Sequence, residues 1–209
     1  MKAVFYDWGG INVWLFHLIN NIRFDSLDSV MLAGTAFGAH QLFYIYVAIL
    51  SLAAVIAVSR TPIDNPTRYR SQTLLWISTV AIFCIAYMLD GWLLGILKPL
   101  LDFPRPPLAL PAGTLYIIGQ PEYHHSLPSG HSSFAMLITA SLWPVLNRGQ
   151  RAAGMLFVIW VGVSRISLGA HFPADVLAGW LSSLIIVLTV RYAVSGTSLS
   201  IIARYQKRY

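Results

Sequence analysis

The sequence predicts an all-α integral membrane protein, a bundle of five to six transmembrane helices, and three observations support this fold class. Of the 209 residues, 56% are hydrophobic and only 11% are charged, whereas soluble globular domains carry about 25% charged residues. The mean hydropathy is +0.64. Long apolar segments recur along most of the chain. A lipid bilayer is therefore the expected surrounding of this protein.

Five apolar segments approach the roughly 20 residues that a helix needs to cross a bilayer. They are residues 41–59, 73–97, 132–146, 152–169 and 174–194. The segment INVWLFHLINNIRF (11–24) is too short to cross, and its mixture of apolar residues with Asn and Arg predicts an amphipathic helix in the membrane interface. Residues 27–40 form a sixth span only if they join this helix or insert partway.

The chain predicts one membrane-embedded domain over residues 1–209, because no polar segment is large enough to form a separate core. Residues 1–40 are its interfacial or partly inserted region. The single cysteine, Cys84, lies inside an apolar segment. This excludes a disulfide framework and a thiol-based metal site.

Basic residues are concentrated in alternate loops. They are Arg60, Arg68 and Arg70 in the loop 60–72, Arg148 and Arg151 in the loop 147–151, and Arg204, Lys207 and Arg208 after the last span. The positive-inside rule makes this side cytoplasmic. The opposite loops, 98–130 and 165–173, then face the periplasm or the exterior. Their only cations are Lys98, Arg105 and Arg165.

Three polar segments lie on that outer side: KPLLDFPRP from Lys98, SLPSGH ending at His131, and SRISLGAHFPAD ending at Asp175. Each residue has a structural explanation when it is taken singly. Lys98 can extend its amine to the membrane surface, Ser129 can cap the helix that follows, and Asp175 can complement a helix dipole.

Together these segments supply complementary chemistry. They bring three cations, the amides of a helix start at Ser129 and Gly130, and acid–base side chains. A phosphate monoester, with a charge of about −1.5 to −2 near neutral pH, matches this combination. The pattern therefore predicts a phosphate site on the outer face of the membrane.

The same segments resemble the three-part signature of the type 2 phosphatidic acid phosphatase (PAP2) superfamily, membrane lipid phosphatases related to vanadium haloperoxidases. The matching residues are Lys98, Arg105 and Pro106, then Pro128, Ser129, Gly130 and His131, then Ser164, Arg165, His171 and Asp175. Bacterial members commonly have six membrane helices, whereas five spans are clear here. This difference leaves the topology of the N-terminal region open.

The resemblance implies a role for each polar residue of the signature. His171 would attack phosphorus and form a phosphohistidine, while Asp175 holds its imidazole in the reactive tautomer. His131 would protonate the leaving oxygen and then activate water. The phosphate-binding residues would be Lys98, Arg105, Ser129, Gly130 and Arg165. No metal ion and no other cofactor is expected.

Four further residues have weaker interpretations. His124 and His125 are adjacent, which disfavours convergence on one metal ion and indicates a loop or the rim of the substrate site. Asp90, about two turns before Lys98, would orient a site cation or serve a structural role at headgroup level. Glu122 would meet a lipid headgroup.

Two other function classes deserve comparison with a phosphatase. An intramembrane serine protease would pair Ser129 with His171, but this pair leaves the three cations unexplained. A haem-binding or ion-conducting helix bundle would place its histidines within the spans, whereas His131 and His171 fall at helix starts. A lipid phosphatase accounts for more of the residues than the protease or the bundle does.

The expected partners are a lipid phosphate and the bilayer, without nucleic acid, and the sequence does not predict an oligomeric state. The expected location is a bacterial inner membrane, with the site facing the periplasm or the exterior. Undecaprenyl pyrophosphate is the preferred substrate, because its diphosphate is exposed on the outer leaflet after glycan transfer. The alternatives are phosphatidylglycerol phosphate, phosphatidic acid and lipid A phosphate, with hydrolysis or phosphotransfer as the reaction.

Overall fold

The computed structural model describes residues 6–206, and for residues 196–206 it describes the helix without side chains. All regular secondary structure in this part of the chain is helical. The helices are α1 (Ile11–Asn20), α2 (Asp25–Phe37), α3 (Phe43–Ser59), α4 (Pro66–Leu101), α5 (Pro106–Ala109), α6 (Gly130–Leu142), α7 (Arg148–Ser167) and α8 (Pro173–Gln206). The all-α prediction is confirmed.

Three helical stretches of the described residues are long and apolar enough to cross a membrane: His40–Ser59, Pro66–Ala109 and Pro173–Ser195. Helices α2 and α6 have 13 residues each. Such a helix is about 20 Å long, less than the roughly 30 Å of a hydrocarbon core. Helix α7 has 20 residues but begins with the polar sequence RGQR. The count of five to six spans stays a prediction.

Two predicted basic loops are shorter than expected, because capping residues start the next helix early. The Asn65 side chain accepts a hydrogen bond from the Arg68 amide at 3.1 Å, so α4 begins inside the predicted loop 60–72. Asn147 and Gln150 bond each other's backbone amides, and this capping box starts α7 at Arg148. The predicted loop 147–151 is therefore wrong. Lys207 and Arg208 lie outside the described residues.

Helix α6 forms the centre of the bundle and packs against α4, α7 and α8, most extensively against α8. Its side chains Phe134, Ala135 and Leu137 are fully buried. Close packing at its start depends on a glycine of α8, because a Cβ atom on Gly179 would lie 2.5 Å from the Ser129 carbonyl oxygen. This contact fixes the start of α6 beside the start of α8.

Helix α1 is amphipathic as predicted, but its polar side faces the protein. Asn12 and Asn20 are buried, whereas Ile11, Trp14 and Leu18 are more than half exposed. The helix packs against α7 and α8. The side chains of Asn12 and Asn20 therefore lie where they can form hydrogen bonds with α7, α8 and the loop between them.

Candidate active site

A cavity of about 380 Å³ brings together six of the eight predicted site residues. Its lining includes Lys98 from the last turns of α4, Arg105 just before α5, Gly130 and His131 from the first turn of α6, Arg165 from the last turn of α7, and His171 from the loop before α8. Each of these residues lies at or near the end of a helix. The site is thus assembled where four long elements and their loops meet.

His171 and Asp175 form a buried pair at the bottom of this arrangement. Nδ1 of His171 lies 3.3 Å from Oδ2 of Asp175, and both side chains are almost completely buried. A carboxylate at Nδ1 keeps the proton on that nitrogen and leaves the lone pair on Nε2. Nε2 lies 3.3 Å from Nη1 of Arg105, a residue of the cavity lining.

Burial lowers the pKa of the His171 imidazole well below its usual range, and the charges of Arg105 and Arg165 add to the effect. His171 is therefore neutral near pH 7, as a nucleophile must be. Burial also lowers the pKa of His131 to about 2, with the charge of Arg165 as the next cause. Both histidines are uncharged in the free protein.

The Asp175 carboxylate receives three further hydrogen bonds. The Ser126 hydroxyl donates to Oδ2 at 2.5 Å, the Phe172 amide donates to Oδ2 at 2.8 Å, and the Tyr6 hydroxyl donates to Oδ1 at 2.8 Å. Burial raises the pKa of Tyr6, and the neighbouring carboxylate raises it further, so the phenol keeps its proton. No sequence signal pointed to Tyr6 or Ser126 as part of the site.

Arg105 connects the loops around the cavity. Its guanidinium forms an ion pair with Glu122 at 2.7 Å and donates to the carbonyl oxygens of His124 at 2.9 Å and Ala170 at 3.3 Å. The planar guanidinium has five N–H donors and can bond all three acceptors at once, whereas a lysine amine cannot reproduce this geometry. Glu122 therefore belongs to the cavity wall, and its contact with a lipid headgroup stays a prediction.

Arg165 is less completely bonded than Arg105. Its Nη1 donates to the Thr35 hydroxyl, whereas its buried Nε has no hydrogen-bond partner among the described residues. The residue is 8% exposed and lines the cavity. A buried donor without a partner is costly in a folded protein, and Arg165 is thus stabilised by fewer hydrogen bonds than Arg105.

The structure does not support the predicted role of Ser129 in binding phosphate. Its amide donates to the Asp175 carbonyl oxygen at 3.0 Å, and its hydroxyl accepts from Ser132 at 3.0 Å. The side chain is fully buried, outside the cavity lining, and it does not cap α6. Ser129 instead ties the start of α6 to the start of α8, and a Ser129–His171 protease pair has no geometric support.

Asp90 does not orient a cation of the site. Both of its carboxylate oxygens accept from the Ser133 hydroxyl, at 2.6 and 2.7 Å, in a fully buried contact between α4 and α6. The role of Asp90 is therefore structural, in the interior of the bundle. A buried carboxylate needs such a donor, since an unpaired one would be strongly destabilising.

His124 and His125 lie in a loop, which is one of the two interpretations of the sequence, and neither of them lines the cavity. Their Nδ1 atoms are 3.5 and 3.1 Å from Oδ1 of Asp102, and all three side chains are about half exposed. Within the described residues, no group of three or more His, Cys, Asp or Glu side chains is arranged to hold a metal ion.

Comparison with known proteins agrees with this geometry. The family model of the PAP2 superfamily matches residues 79–198, more than half of the chain. The chain belongs to the PAP2 superfamily. The matched region contains all eight predicted site residues, from Lys98 to Asp175, but neither α1 nor Tyr6.

Two relatives of the chain are named for their activities. The chain is 26% identical over 175 residues to an undecaprenyl-diphosphatase of Sulfolobus acidocaldarius, covering 82% of this chain and 73% of the relative. It is 30% identical over 134 residues to a lipid A 1-phosphatase of Rhizobium johnstonii, covering 59% of this chain and 53% of the relative. The chain thus spans about half the length of the Rhizobium protein.

Two crystal structures share the fold. The structure of Aquifex aeolicus LpxE superimposes with a TM-score of 0.71 at 25% identity, covering 87% of this chain and 95% of the other. A transmembrane PAP2-type phosphatidylglycerolphosphate phosphatase from Bacillus subtilis gives a TM-score of 0.66 at 21% identity, covering 90% and 86%. The protein is therefore a membrane-embedded phosphatase of the PAP2 superfamily.

Proposed function

We propose that this PAP2 phosphatase hydrolyses a lipid phosphomonoester or diphosphate through a phosphohistidine on His171. The observation that carries this proposal is the His171–Asp175 pair, whose Nε2 atom borders a cavity with three cationic side chains. Lys98, Arg105 and Arg165 offset the charge of the phosphoryl oxygens as bonds change. The proposal needs no metal ion.

The reaction has two halves. In the first, the Nε2 lone pair forms a bond to phosphorus, the bond from phosphorus to the leaving oxygen breaks, and His131 gives that oxygen a proton. In the second, His131 takes a proton from water, the resulting oxygen attacks phosphorus, and the bond from phosphorus to Nε2 breaks. Orthophosphate leaves and His171 is again neutral. His131, which takes up one proton when the substrate binds and holds one after it activates water, releases that proton to the solvent, so the enzyme returns to its starting state.

Undecaprenyl pyrophosphate is the preferred substrate within this proposal. Support comes from the undecaprenyl-diphosphatase relative, which aligns with 82% of the chain. Lipid A phosphate is supported by the Rhizobium relative, and phosphatidylglycerol phosphate by the Bacillus structure. Phosphatidic acid as the substrate, and phosphotransfer to a second lipid as the reaction, are also compatible with the cationic cavity.

A panel assay tests the reaction and the substrate together. Purified protein in detergent micelles should release orthophosphate from all four lipids, with the highest kcat/KM for undecaprenyl pyrophosphate, and vanadate should inhibit the release. EDTA should leave the rate unchanged, because side-chain cations supply the positive charge. Loss of activity with EDTA that a divalent ion restores would contradict the metal-free mechanism. A tenfold higher kcat/KM for another lipid would contradict the choice of undecaprenyl pyrophosphate as the substrate but not the phosphatase mechanism.

We also propose that the protein lies in a bacterial inner membrane with its cavity facing the periplasm. In a Cys84→Ser background, Ala112→Cys should react with a membrane-impermeant maleimide in intact spheroplasts, and Asp64→Cys should react only after lysis. Both positions are exposed, and neither side chain caps a helix or lines the cavity. The opposite labelling pattern would invert the topology and remove the outer-leaflet argument for undecaprenyl pyrophosphate.

A further inference from the structure

The N-terminal segment of the chain reaches the buried carboxylate behind the nucleophile. Tyr6 donates to Oδ1 of Asp175, although the two residues are 169 positions apart in sequence. Ser126 donates to Oδ2 of the same carboxylate. We propose that Tyr6 and Ser126 are positioning residues that hold Asp175 so that His171 keeps its proton on Nδ1. This inference rests on the proposed function, in which Nε2 of His171 attacks phosphorus.

The distances indicate which contacts orient the carboxylate. The three bonds from Ser126, Phe172 and Tyr6 are 2.5 to 2.8 Å long, whereas the contact with His171 is 3.3 Å. Shorter bonds to a charged acceptor are the stronger ones. The Asp175 carboxylate is thus held mainly by these three donors. Its position in turn sets the orientation of the His171 imidazole.

Both hydroxyl donors are themselves fixed by the loop that precedes Arg105. The Tyr6 ring stacks on Phe103, with a centroid distance of 4.3 Å, and meets the edge of Phe172 at 6.0 Å. The Ser126 amide donates to the Phe103 carbonyl oxygen at 2.9 Å. Aromatic stacking of this kind restricts the phenol to a narrow range of positions. The same loop therefore places both the arginine and the two donors.

The rest of the N-terminal segment holds the loop that carries His171 at both of its ends. The Asn12 side chain accepts from the Ala174 amide at 2.9 Å, at the start of α8. The Asn20 side chain donates to the Ser167 carbonyl oxygen at 2.9 Å, at the end of α7. These contacts explain why the polar side of α1 faces the protein. Tyr6 and both asparagines precede residue 79, where the match to the PAP2 model begins.

Two isosteric substitutions test the positioning role. Tyr6→Phe keeps the ring that stacks on Phe103 and removes the donor, and Ser126→Ala removes the other donor. Each should lower kcat about tenfold, the effect expected for one hydrogen bond to a charged group. KM and the inhibition constant of orthophosphate should not change, because neither side chain lines the cavity.

Matched controls remove a tyrosine and a serine hydroxyl that donate to backbone carbonyl oxygens elsewhere. Tyr46→Phe removes a 2.9 Å bond to the Phe37 carbonyl oxygen, and Ser183→Ala removes a 2.8 Å bond from a fully buried serine of α8. Both controls should retain wild-type kcat. Thermal unfolding of all four variants shows whether a lower kcat reflects loss of folded protein.

The tautomer of His171 provides a readout that does not depend on turnover. In protein labelled with ¹⁵N-histidine, the wild type and controls should show only the Nδ1–H form, and the Tyr6→Phe/Ser126→Ala double variant should show both tautomers. The His171→Ala spectrum assigns the signal. A single Nδ1–H tautomer in the double variant, or wild-type kcat in both single variants, would overturn the proposal. If the wild type released no phosphate from any lipid, the proposed function would fail, and the tautomer spectra would still decide the positioning role.

Discussion

Replacing His171 by alanine should lower phosphate release by about 10⁴-fold or more, the loss expected when a covalent nucleophile is removed. The reason is that, within the part of the chain that the structure describes, only His171 combines a carboxylate at Nδ1 with an Nε2 atom beside a cation of the cavity. The variant should keep its fold, because the bundle core lies around Phe134 in α6. Steady-state phosphate release and thermal unfolding check both parts of this prediction.

The phosphohistidine gives a direct measurement of the same prediction. Wild-type protein mixed with a ³²P-labelled lipid and quenched in alkali should carry label on His171, and the His171→Ala variant should carry none. His17→Ala, in α1 and outside the cavity, is the matched control and should behave like the wild type. Near-normal turnover by His171→Ala would assign the nucleophile to another residue.

The chemistry of the site was predictable from the sequence because short segments carry it. The resemblance to the PAP2 signature predicts that Asp175 holds the imidazole of His171, and in the structure the two side chains meet, although His171 lies in the loop before α8. The cations Lys98, Arg105 and Arg165 were unusual on the side of the membrane that the sequence predicts to be the outer one, and they line one cavity. Their position at helix ends follows from loops that return to the same face of the bundle.

The contacts behind the site were not predictable, because they join residues that are distant in sequence. Tyr6 lies 169 positions from its acceptor, and Asn12 lies 162 positions from the amide that it caps. Nothing in their local sequence distinguishes them from residues of an interfacial helix. Ser129 illustrates a different limit, since a sequence can place a serine at a helix start without showing which neighbour takes its amide.

Burying the cationic side chains of the cavity costs free energy, and hydrogen bonds offset this cost more fully for Arg105 than for Arg165. Arg105 has an ion pair and two carbonyl acceptors, whereas the Nε of Arg165 has no partner within the described residues. Unpaired buried donors are rare in folded proteins and concentrate at functional sites. Arg165 lines the cavity, which places its guanidinium to bind phosphate, but an unpaired Nε alone does not mark a site, because the Nε of Arg191, outside the cavity, is unpaired as well.

Replacing His131 by alanine should lower turnover of lipid phosphates by about 10²- to 10⁴-fold, the usual contribution of a general acid or base. The pKa of His131 is about 2 in the free protein, because of burial and nearby positive charge. A bound phosphate brings about −1.5 to −2 charge beside the imidazole, which favours the protonated form. The bound phosphate therefore raises the pKa of His131, which is the direction that proton donation requires.

An aryl phosphate separates proton donation from phosphate binding by His131. p-Nitrophenolate leaves without a proton, so His131→Ala should form the phosphohistidine from p-nitrophenyl phosphate at a rate close to that of the wild type. Hydrolysis of this intermediate still requires a base for water and should stay slow. The variant should then show a burst of p-nitrophenol equal to the enzyme concentration, followed by slow release. Equal losses on the lipid and the aryl substrate, without a burst, would mean that His131 binds the phosphoryl group and does not transfer the proton.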